Sequence, residues 1–289
     1  MRPLRYRIRE AVKRFGSPQP VVEKDYASSY ILAGMALHPK LGDTLVFKGG
    51  TALKKLFFGD YRFSEDLDFS SRDAPVGELL ERSLDESITR TGRLLSEYGP
   101  FDLQLERYLE REPHPHGQEA FTIRVKFPWH PSHLCRIKIE ITQDEPVLLA
   151  PEKRRLLHEY GESLSVKICC YRLDEIVAEK LRTLLQTHQK LIARGWNRPR
   201  ARDYYDLWRI LGAFGASLDR MRIKSLLDQK CAFRGVVYHD PDDFFSDELV
   251  SETIRHWDAA LEHFVPDLPE GQKVLSQLQV LLKNLFSDP

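Results

Sequence analysis

Nothing in the 289 residues approaches the ~18 consecutive apolar positions that a membrane-crossing helix needs, so the chain is not expected to be an integral membrane protein. The N-terminal stretch MRPLRYRIREAVKRF also lacks what a secretory leader requires, an apolar core followed by a small-residue cleavage site, and alternates charged with apolar residues instead. Cytoplasmic residence is expected. Cysteine is sparse: Cys135, Cys169, Cys170 and Cys231 show neither C-x-x-C spacing nor the pattern of a disulfide framework, which points to buried reduced thiols. Internal repeats and low-complexity segments are missing as well. So is any excess of one charge, with 43 basic residues against 43 acidic ones.

That balance hides an uneven distribution. Residues 1–150 carry 22 Lys and Arg against 22 Asp and Glu; residues 151–235 carry 18 against 10, net +8; residues 236–289 carry 3 against 11, net −8. A polyanionic partner for the middle segment fits this pattern, and so does pairing of the two segments with each other. The length allows one large domain or two lobes, and two are expected. Among ten histidines, His114-Pro-His116 has the residue types of a metal site, but its proline-rich flanks fit an exposed loop.

Helical spacing is expected over residues 4–14 and 21–37, the second ended by His38-Pro39-Lys40-Leu41-Gly42. TLVFK at 44–48 reads as a short strand broken by Gly49-Gly50, and TALKKLFF from Thr51 returns to helical spacing. DLDFS at 66–70 alternates as a second strand, and residues 76–97 make a long polar helix. Three β-like runs follow at 101–109, 121–127 and 134–142, the last two alternating cleanly between apolar and charged residues. From Leu173 the pattern is helical, over 173–188, 201–214, 218–231, 246–264 and 270–285. The expected class is therefore α+β, with a mixed sheet flanked by helices in an N-lobe at 1–165 and a helical C-lobe at 166–289.

Strand parity puts Ser64, Asp66 and Asp68 on one side and Leu67 and Phe69 on the other. Two carboxylates so close repel each other unless a cation lies between them, and oxygen-only ligation suits Mg²⁺. A solvated strand end would show the same two acids. The preceding turn narrows the choice: Gly49-Gly50 lets backbone approach a ligand, and the helix beginning near Thr51 offers free N–H groups to an anion, with the Thr51 hydroxyl at hand and Lys48 just before. Turn and D-x-D together suit a nucleoside triphosphate with its metal. In RIKIEIT, Arg136, Lys138 and Glu140 share the face opposite Ile137, Ile139 and Ile141, and Glu140 is the natural third carboxylate; a cross-strand salt bridge with Arg124 or Lys126 is the other reading.

In the helical segment Lys180 falls among Ile176, Val177 and Leu184, and Asp203 among Leu207, Ile210 and Phe214. A charge inside an apolar stripe needs a partner or a ligand. Either the two form a structural ion pair, or Lys180 reaches triphosphate oxygens with Asp203 orienting it; the readings are compatible. Between those helices HQKLIARGWNRPRARD sets Lys190, Arg194, Arg198, Arg200 and Arg202 around Trp196, a candidate nucleic-acid contact or a solvated loop over a buried indole.

Taken together, GGTALKKLFFGDYRFSEDLDF, IEIT, EIVAEKLRTLL and RARDYYDLWRI resemble the AbiEii/AbiGii toxin family of nucleotidyltransferases, within the DNA polymerase β-like superfamily, in order and spacing from about Glu23 to Leu211. The EKDY at Glu23–Tyr26 also looks typical of that family. The resemblance implies an enzyme that moves NMP from an NTP to an acceptor, in some members the 3′ end of tRNA, paired with an antitoxin encoded beside it and serving phage defence or growth control. By motif it implies triphosphate contacts from Gly49, Gly50, Thr51 and Lys180, Mg²⁺ at Asp66 and Asp68 with Glu140 as third carboxylate, and Asp203 as the acid of the C-lobe. Ser64 matches a serine that in some relatives accepts phosphate from an antitoxin kinase. Gly-Gly-Thr stands here where Gly-Ser is usual in the wider superfamily. A small-molecule nucleotidyltransferase of the antibiotic-modifying kind shares the same acids, and a catalytically silent binding module would keep the fold without the chemistry. A metal nuclease of the common Glu-x-Lys design is disfavoured, because Glu140 is followed by Ile-Thr.

Overall fold

The computed structural model describes residues 2–108, 117–195 and 199–287. His114 and His116 of the candidate metal loop, and Trp196 and Arg198 of the basic segment, lie outside the described residues. The chain divides after Tyr171 into two compact units, against the expected division after residue 165.

In the first unit α1 (Leu4–Phe15), α2 (Gln19–Ala36) and the single turn α3 (Leu41–Thr44) lead into β1 (Leu45–Lys48). The chain turns at Gly49 into α4 (Gly49–Ala52), which widens to a π-helical turn over Leu53–Phe57. Then come β2 (Asp66–Ser71), α5 (Gly77–Leu95), β3 (Asp102–Tyr108), β4 (Gln118–Lys126), β5 (Cys135–Thr142), β6 (Glu152–Arg155) and β7 (Lys167–Cys170). Among the described residues the strands form one seven-stranded mixed sheet, ordered β3-β4-β5-β2-β1-β7-β6. β2 runs parallel to β5 and β1 parallel to β7; the remaining neighbours are antiparallel.

The two-residue period decides which face is covered. Phe47, Leu67, Phe69, Phe121, Ile123, Ile137, Ile139 and Ile141 are fully or almost fully buried on one face, where α2 and α5 pack. α2 has no polar stripe over Tyr26–Met35, which is buried throughout. Its Gly34 lies where a Cβ would overlap the Thr91 hydroxyl and the Ser87 carbonyl of α5, so glycine sets how closely the two helices approach. β7 belongs to the first unit because it pairs with β1 and β6. Neither β6 nor β7 was expected: each has only four residues, and Glu-Lys-Arg-Arg shows no apolar alternation at all.

The sequence EKDY acquires a physical role on α2. Buried Glu23 accepts hydrogen bonds from Trp129 Nε1 (2.8 Å) and Gln19 Nε2 (2.7 Å), and faces His130 Nε2 at 3.0 Å. Lys24 pairs with Glu65 at 2.6 Å, immediately before the D-x-D strand. Buried Asp25 accepts from Lys55 Nζ (2.6 Å) and from the Tyr160 hydroxyl (2.8 Å), and the Tyr26 ring packs edge-on against Tyr160. The helix thereby ties the π-helical turn, the approach to β2 and the loop after β4 to one rigid element.

The second unit is helical: α6 (Leu173–Arg194), α7 (Ala201–Phe214), α8 (Arg220–Arg234), α9 (Asp247–Arg255), α10 (Trp257–Leu261) and α11 (Gly271–Phe286). The single helix expected over 246–264 is broken at His256, and α6 runs to Arg194, beyond the expected end at 188. Buried Lys230 of α8 lies 3.0 Å from Glu175 and 3.5 Å from Glu179, both on α6, an ion cluster that pins one helix to the other. All four cysteines are buried and free, and burial pushes the Cys135 thiol up to about 12. No helix among the described residues is long and apolar enough to cross a membrane.

Burial alone would raise the Asp25 carboxyl, but Lys55, Lys54 and the Tyr160 hydroxyl outweigh it and hold the group below its ordinary value. A depressed carboxyl stabilises the fold above its unfolded value of about 3.9, and that contribution is lost as pH falls through the lower folded value. In urea unfolding the stability gap between wild type and Asp25→Asn should therefore widen as pH rises from about 2 to about 5. Lys55→Met, which strands the buried carboxylate, should cost about 3–5 kcal/mol at neutral pH.

Candidate active site

The site is built where β1 and β2 meet. Lys48 ends β1 in extended conformation, and Gly49 then takes φ +79°, a left-handed conformation that residues with a Cβ rarely adopt. A Cβ at Gly49 would also overlap the Asp68 carboxylate, and one at Gly50 would overlap the Arg62 guanidinium beside the Ser64 hydroxyl. The two glycines thus let backbone amides lie directly against the acidic strand. Buried Thr51 donates its hydroxyl proton to the Asp66 carbonyl at 2.6 Å, locking the turn to β2. The hydroxyl expected at a phosphate is thus bonded to the backbone of β2.

Strand register sets the carboxylates. Lys48 pairs with Asp68 across β1 and β2, and Asp68 with Glu140 across β2 and β5; one step back, Asp66 faces Lys138. Asp66, Asp68, Lys138 and Glu140 share the half-buried face opposite the apolar one, so the expected third carboxylate stands on the same face as the D-x-D pair. Glu140 accepts a hydrogen bond from Lys138, two residues earlier on its own strand. The expected cross-strand alternatives are not its partners: Arg124 instead pairs with Glu106 at 2.7 Å. Lys48 is buried, with its ammonium 3.0 Å from Glu145 and 5.5 Å from the centre of the Tyr171 ring. Lys48, expected near a nucleotide, thereby braces the end of β1.

Charge on this face is unevenly balanced. Burial, reinforced by the fields of Glu140 and Glu65, holds the Asp66 carboxyl above its ordinary value against the opposing pull of Lys138 and Lys24. Burial works against the Lys138 ammonium, but its bond to Glu140 and the fields of Glu140 and Asp66 outweigh that and raise it. Among the described residues no three acidic, histidine or cysteine side chains close around a common point to cage a metal ion. The residues nonetheless fit Mg²⁺ in donor type, since Asp66, Asp68 and Glu140 offer only oxygen.

The second unit realises the ion pair expected from the helical wheel and adds a member. The Lys180 ammonium lies 2.7 Å from Asp203 and 2.7 Å from Asp206, the latter fully buried. Burial raises the Asp203 carboxyl, yet Lys180 and Arg200 together hold it below its ordinary value. Asp206, one helical turn after Asp203, was not foreseen; its position on the same face as Asp203 was the available signal. Of the expected nucleic-acid residues, Lys190, Arg194 and Arg200 stand together with Arg182 and Arg234, and burial followed by those four cations lowers the Lys190 ammonium. Arg202 points elsewhere, donating to the Ala260 carbonyl at 3.2 Å and lying 4.6 Å from the centre of the Phe264 ring.

The fold that holds the glycine turn and the acidic strands has a counterpart among solved structures. The chain is similar to MenT4, a nucleotidyltransferase toxin of Mycobacterium tuberculosis H37Rv, with a TM-score of 0.59 and 21% identity over 98% of this chain and 88% of that one, a likeness in fold. The profile of the nucleotidyl transferase AbiEii toxin family, of type IV toxin–antitoxin systems, matches residues 30–284, and the chain belongs to that family. The match begins after the EKDY tetrad and extends through most of α11, well beyond the stretch ending near Leu211 from which the resemblance was read. No curated protein sequence matches the chain.

The position of Lys138 yields a measurement independent of turnover. By carboxyl carbon NMR, Asp66 should titrate above the ordinary aspartate value of about 3.9, and Lys138→Met, which removes an opposing cation, should raise it further. An Asp66 midpoint that stays put or falls in the variant would show that Lys138 does not act on it.

Proposed function

We propose that this toxin-type nucleotidyltransferase transfers NMP from an NTP to an RNA acceptor, the 3′ end of tRNA, within the cytoplasm. It works as the toxin of a pair whose antitoxin is encoded nearby, in phage defence. The observation that carries the reading is the convergence of Asp66, Asp68 and Glu140 on one sheet face beside a glycine turn whose backbone lies against Asp68. Amides at Gly49 and Gly50 receive the triphosphate, with the Ser64 hydroxyl and the Arg62 guanidinium packed against Gly50. Asp66 and Asp68 would hold Mg²⁺, joined by Glu140 once released from Lys138; bound there, the ion supplies charge neutralisation and a more acidic attacking hydroxyl. The acceptor hydroxyl attacks the α-phosphorus in line, one O–P bond forming as the bond to pyrophosphate breaks. The part of these residues is positioning and charge balance.

Lys180 and Asp203 belong to this proposal through their family motif: Lys180 is the cation we assign to the reaction, and Asp203, with Asp206, fixes its rotamer. Lys190, Arg194 and Arg200, three of the five residues expected to bind nucleic acid, are the cations we assign to the RNA backbone.

The test incubates purified protein with each labelled NTP, total RNA and Mg²⁺. Label should enter RNA and pyrophosphate should appear, and Asp66→Asn or Asp68→Asn should each reduce the rate by at least about 10³-fold while leaving the melting temperature near wild type. An intact NTP pool and unlabelled RNA with all four nucleotides would overturn the reading. Shortened RNA would assign a nuclease instead, and label transferred only to small molecules would assign the antibiotic-modifying class.

A further inference from the structure

The sheet face that carries Asp66, Asp68 and Glu140 does not end at β5. Strand register extends it across β4 and β3. The row of Asp68 and Glu140 continues through Ala120 to Tyr108, and the row of Asp66 and Lys138 through Thr122 to Glu106. One side-chain step nearer the start of β5, Arg136 faces Arg124, which in turn faces Gln104; beyond them Lys126 faces Asp102. The apolar side chains of β4 and β5 alternate onto the other face, so these rows share the carboxylate face. Gln104, Glu106, Tyr108 and Arg136 are exposed, and Thr122, Arg124, Lys126 and Lys138 are half-buried.

A solvated sheet face is stabilised by opposite charges set across its strands, and part of this one has them: Lys126 faces Asp102, and Arg124 pairs with Glu106 at 2.7 Å. Two positions break that pattern. Arg124 and Arg136 put guanidiniums on register partners of adjacent strands, where like charges repel, and an anion between them reverses the sign of the interaction. Phosphate oxygens suit guanidinium geometry. Tyr108 is the other exception, a large aromatic side chain that remains 48% exposed even with the Lys138 ammonium 4.7 Å from its ring centre. Cations for the backbone and an open ring for a base are what a single-stranded nucleic acid needs.

Both positions flank the reacting centre. Tyr108 lies two strands from Glu140, about 10 Å, and Arg136 lies four residues from it along β5, about 13 Å. In-line displacement puts the attacking oxygen and the leaving pyrophosphate on opposite sides of the α-phosphorus. With the triphosphate at the glycine turn on the β1 side of β2, the acceptor reaches Asp66 and Asp68 from the β5 side, over this face. We infer that the polar face of β3, β4 and β5 carries the unpaired end of the acceptor RNA, with a phosphate between Arg124 and Arg136 and a base stacked on Tyr108. The inference rests on the nucleotidyl-transfer reading and names the acceptor site of that reaction.

The experiment uses the full chain and short single-stranded RNA oligonucleotides, with binding read by fluorescence anisotropy at several salt concentrations. Arg136→Ala and Tyr108→Ala both change exposed side chains, and a melting temperature near wild type confirms that each variant folds. Arg136→Ala should weaken binding and make the slope of log affinity against log salt shallower by about 0.7, the contribution of one phosphate contact on a single strand. Tyr108→Ala should weaken binding by about tenfold and leave that slope unchanged, while Tyr108→Phe, which keeps the ring, should bind within about twofold of wild type. In turnover both alanine variants should raise the KM for acceptor RNA by the factor they lose in binding, with the KM for NTP within about twofold. Should an alanine variant melt early, Arg136→Gln or Tyr108→Leu decides in its place. A wild-type slope in Arg136→Ala, or wild-type affinity in Tyr108→Ala, overturns the inference, and so does a rise confined to the KM for NTP. If wild type transfers no nucleotide but the variants show these losses in oligonucleotide binding, the face assignment stands and the nucleotidyl-transfer reading fails. If transfer into RNA is normal and the variants bind as wild type does, the face assignment fails alone.

Discussion

Like charges on facing positions of adjacent strands constrain the first unit more than any other interaction. Asp68 and Glu140 are register partners in the β2–β5 pair, with Asp66 one side-chain step away on the same face. Facing carboxylates about 5 Å apart repel by about 3 kcal/mol at an effective dielectric constant near 20. A total fold stability of about 5–15 kcal/mol cannot carry several such terms unopposed. The sheet answers with lysine: Lys138 beside Glu140 and facing Asp66, and Lys48 facing Asp68 from β1. Burial keeps the Asp66 carboxyl above its ordinary value, with the fields of Glu140 and Glu65 adding to it against the pull of Lys138 and Lys24.

The same logic governs the buried ion pairs of both units. Asp25 with Lys55, Lys180 with Asp203 and Asp206, and Lys230 with Glu175 and Glu179 each join different elements through charge that apolar neighbours would not tolerate unpaired. Such pairs add little net stability over apolar replacements of similar shape, but breaking one is costly. Their effect is positional. Asp25 with Lys55 fixes the π-helical turn that follows the glycines, and Lys24 with Glu65 fixes the entry to the acidic strand, so two consecutive α2 residues hold the two walls between which Asp66 lies.

Periodicity carried most of the fold. Alternation in RIKIEIT and DLDFS placed the strands and their acidic face, because a half-buried sheet enforces its two-residue period on every position. β6 and β7 were illegible because four residues at the end of a sheet need no alternation, and the kink at His256 was hidden because α9 and α10 share one apolar periodicity. At the site, residue types were readable and partners were not. Lys138 and Glu140 were correctly assigned to one face, yet that face alone did not say that one would turn onto the other. Thr51 looked like a phosphate ligand because a hydroxyl after two glycines commonly is one; its use as a strap to the Asp66 carbonyl depends on β2 returning alongside the turn, a tertiary fact. EKDY had no local explanation because its partners, Trp129 and His130, Glu65, Lys55 and Tyr160, all lie far along the chain.

Lys138 also has a second partner on this face besides Glu140. Its ammonium bonds Glu140 and lies 4.7 Å from the centre of the half-exposed Tyr108 ring on β3. Tyr108, Ala120, Glu140, Asp68 and Lys48 occupy one continuous row of register partners across five strands, so the aromatic face stands two strands from the carboxylate that Lys138 holds. A lysine stem spans that distance flexibly, and a cation–π contact at such an exposed site is worth about 0.5–1 kcal/mol. Release from Glu140 therefore does not strand the ammonium, which keeps both an aromatic face and solvent. An arginine bound bidentately to Glu140 would be harder to dislodge. The alanine at position 120 is consistent with the same demand: any larger side chain there would stand between Tyr108 and Glu140 and block the path along the row.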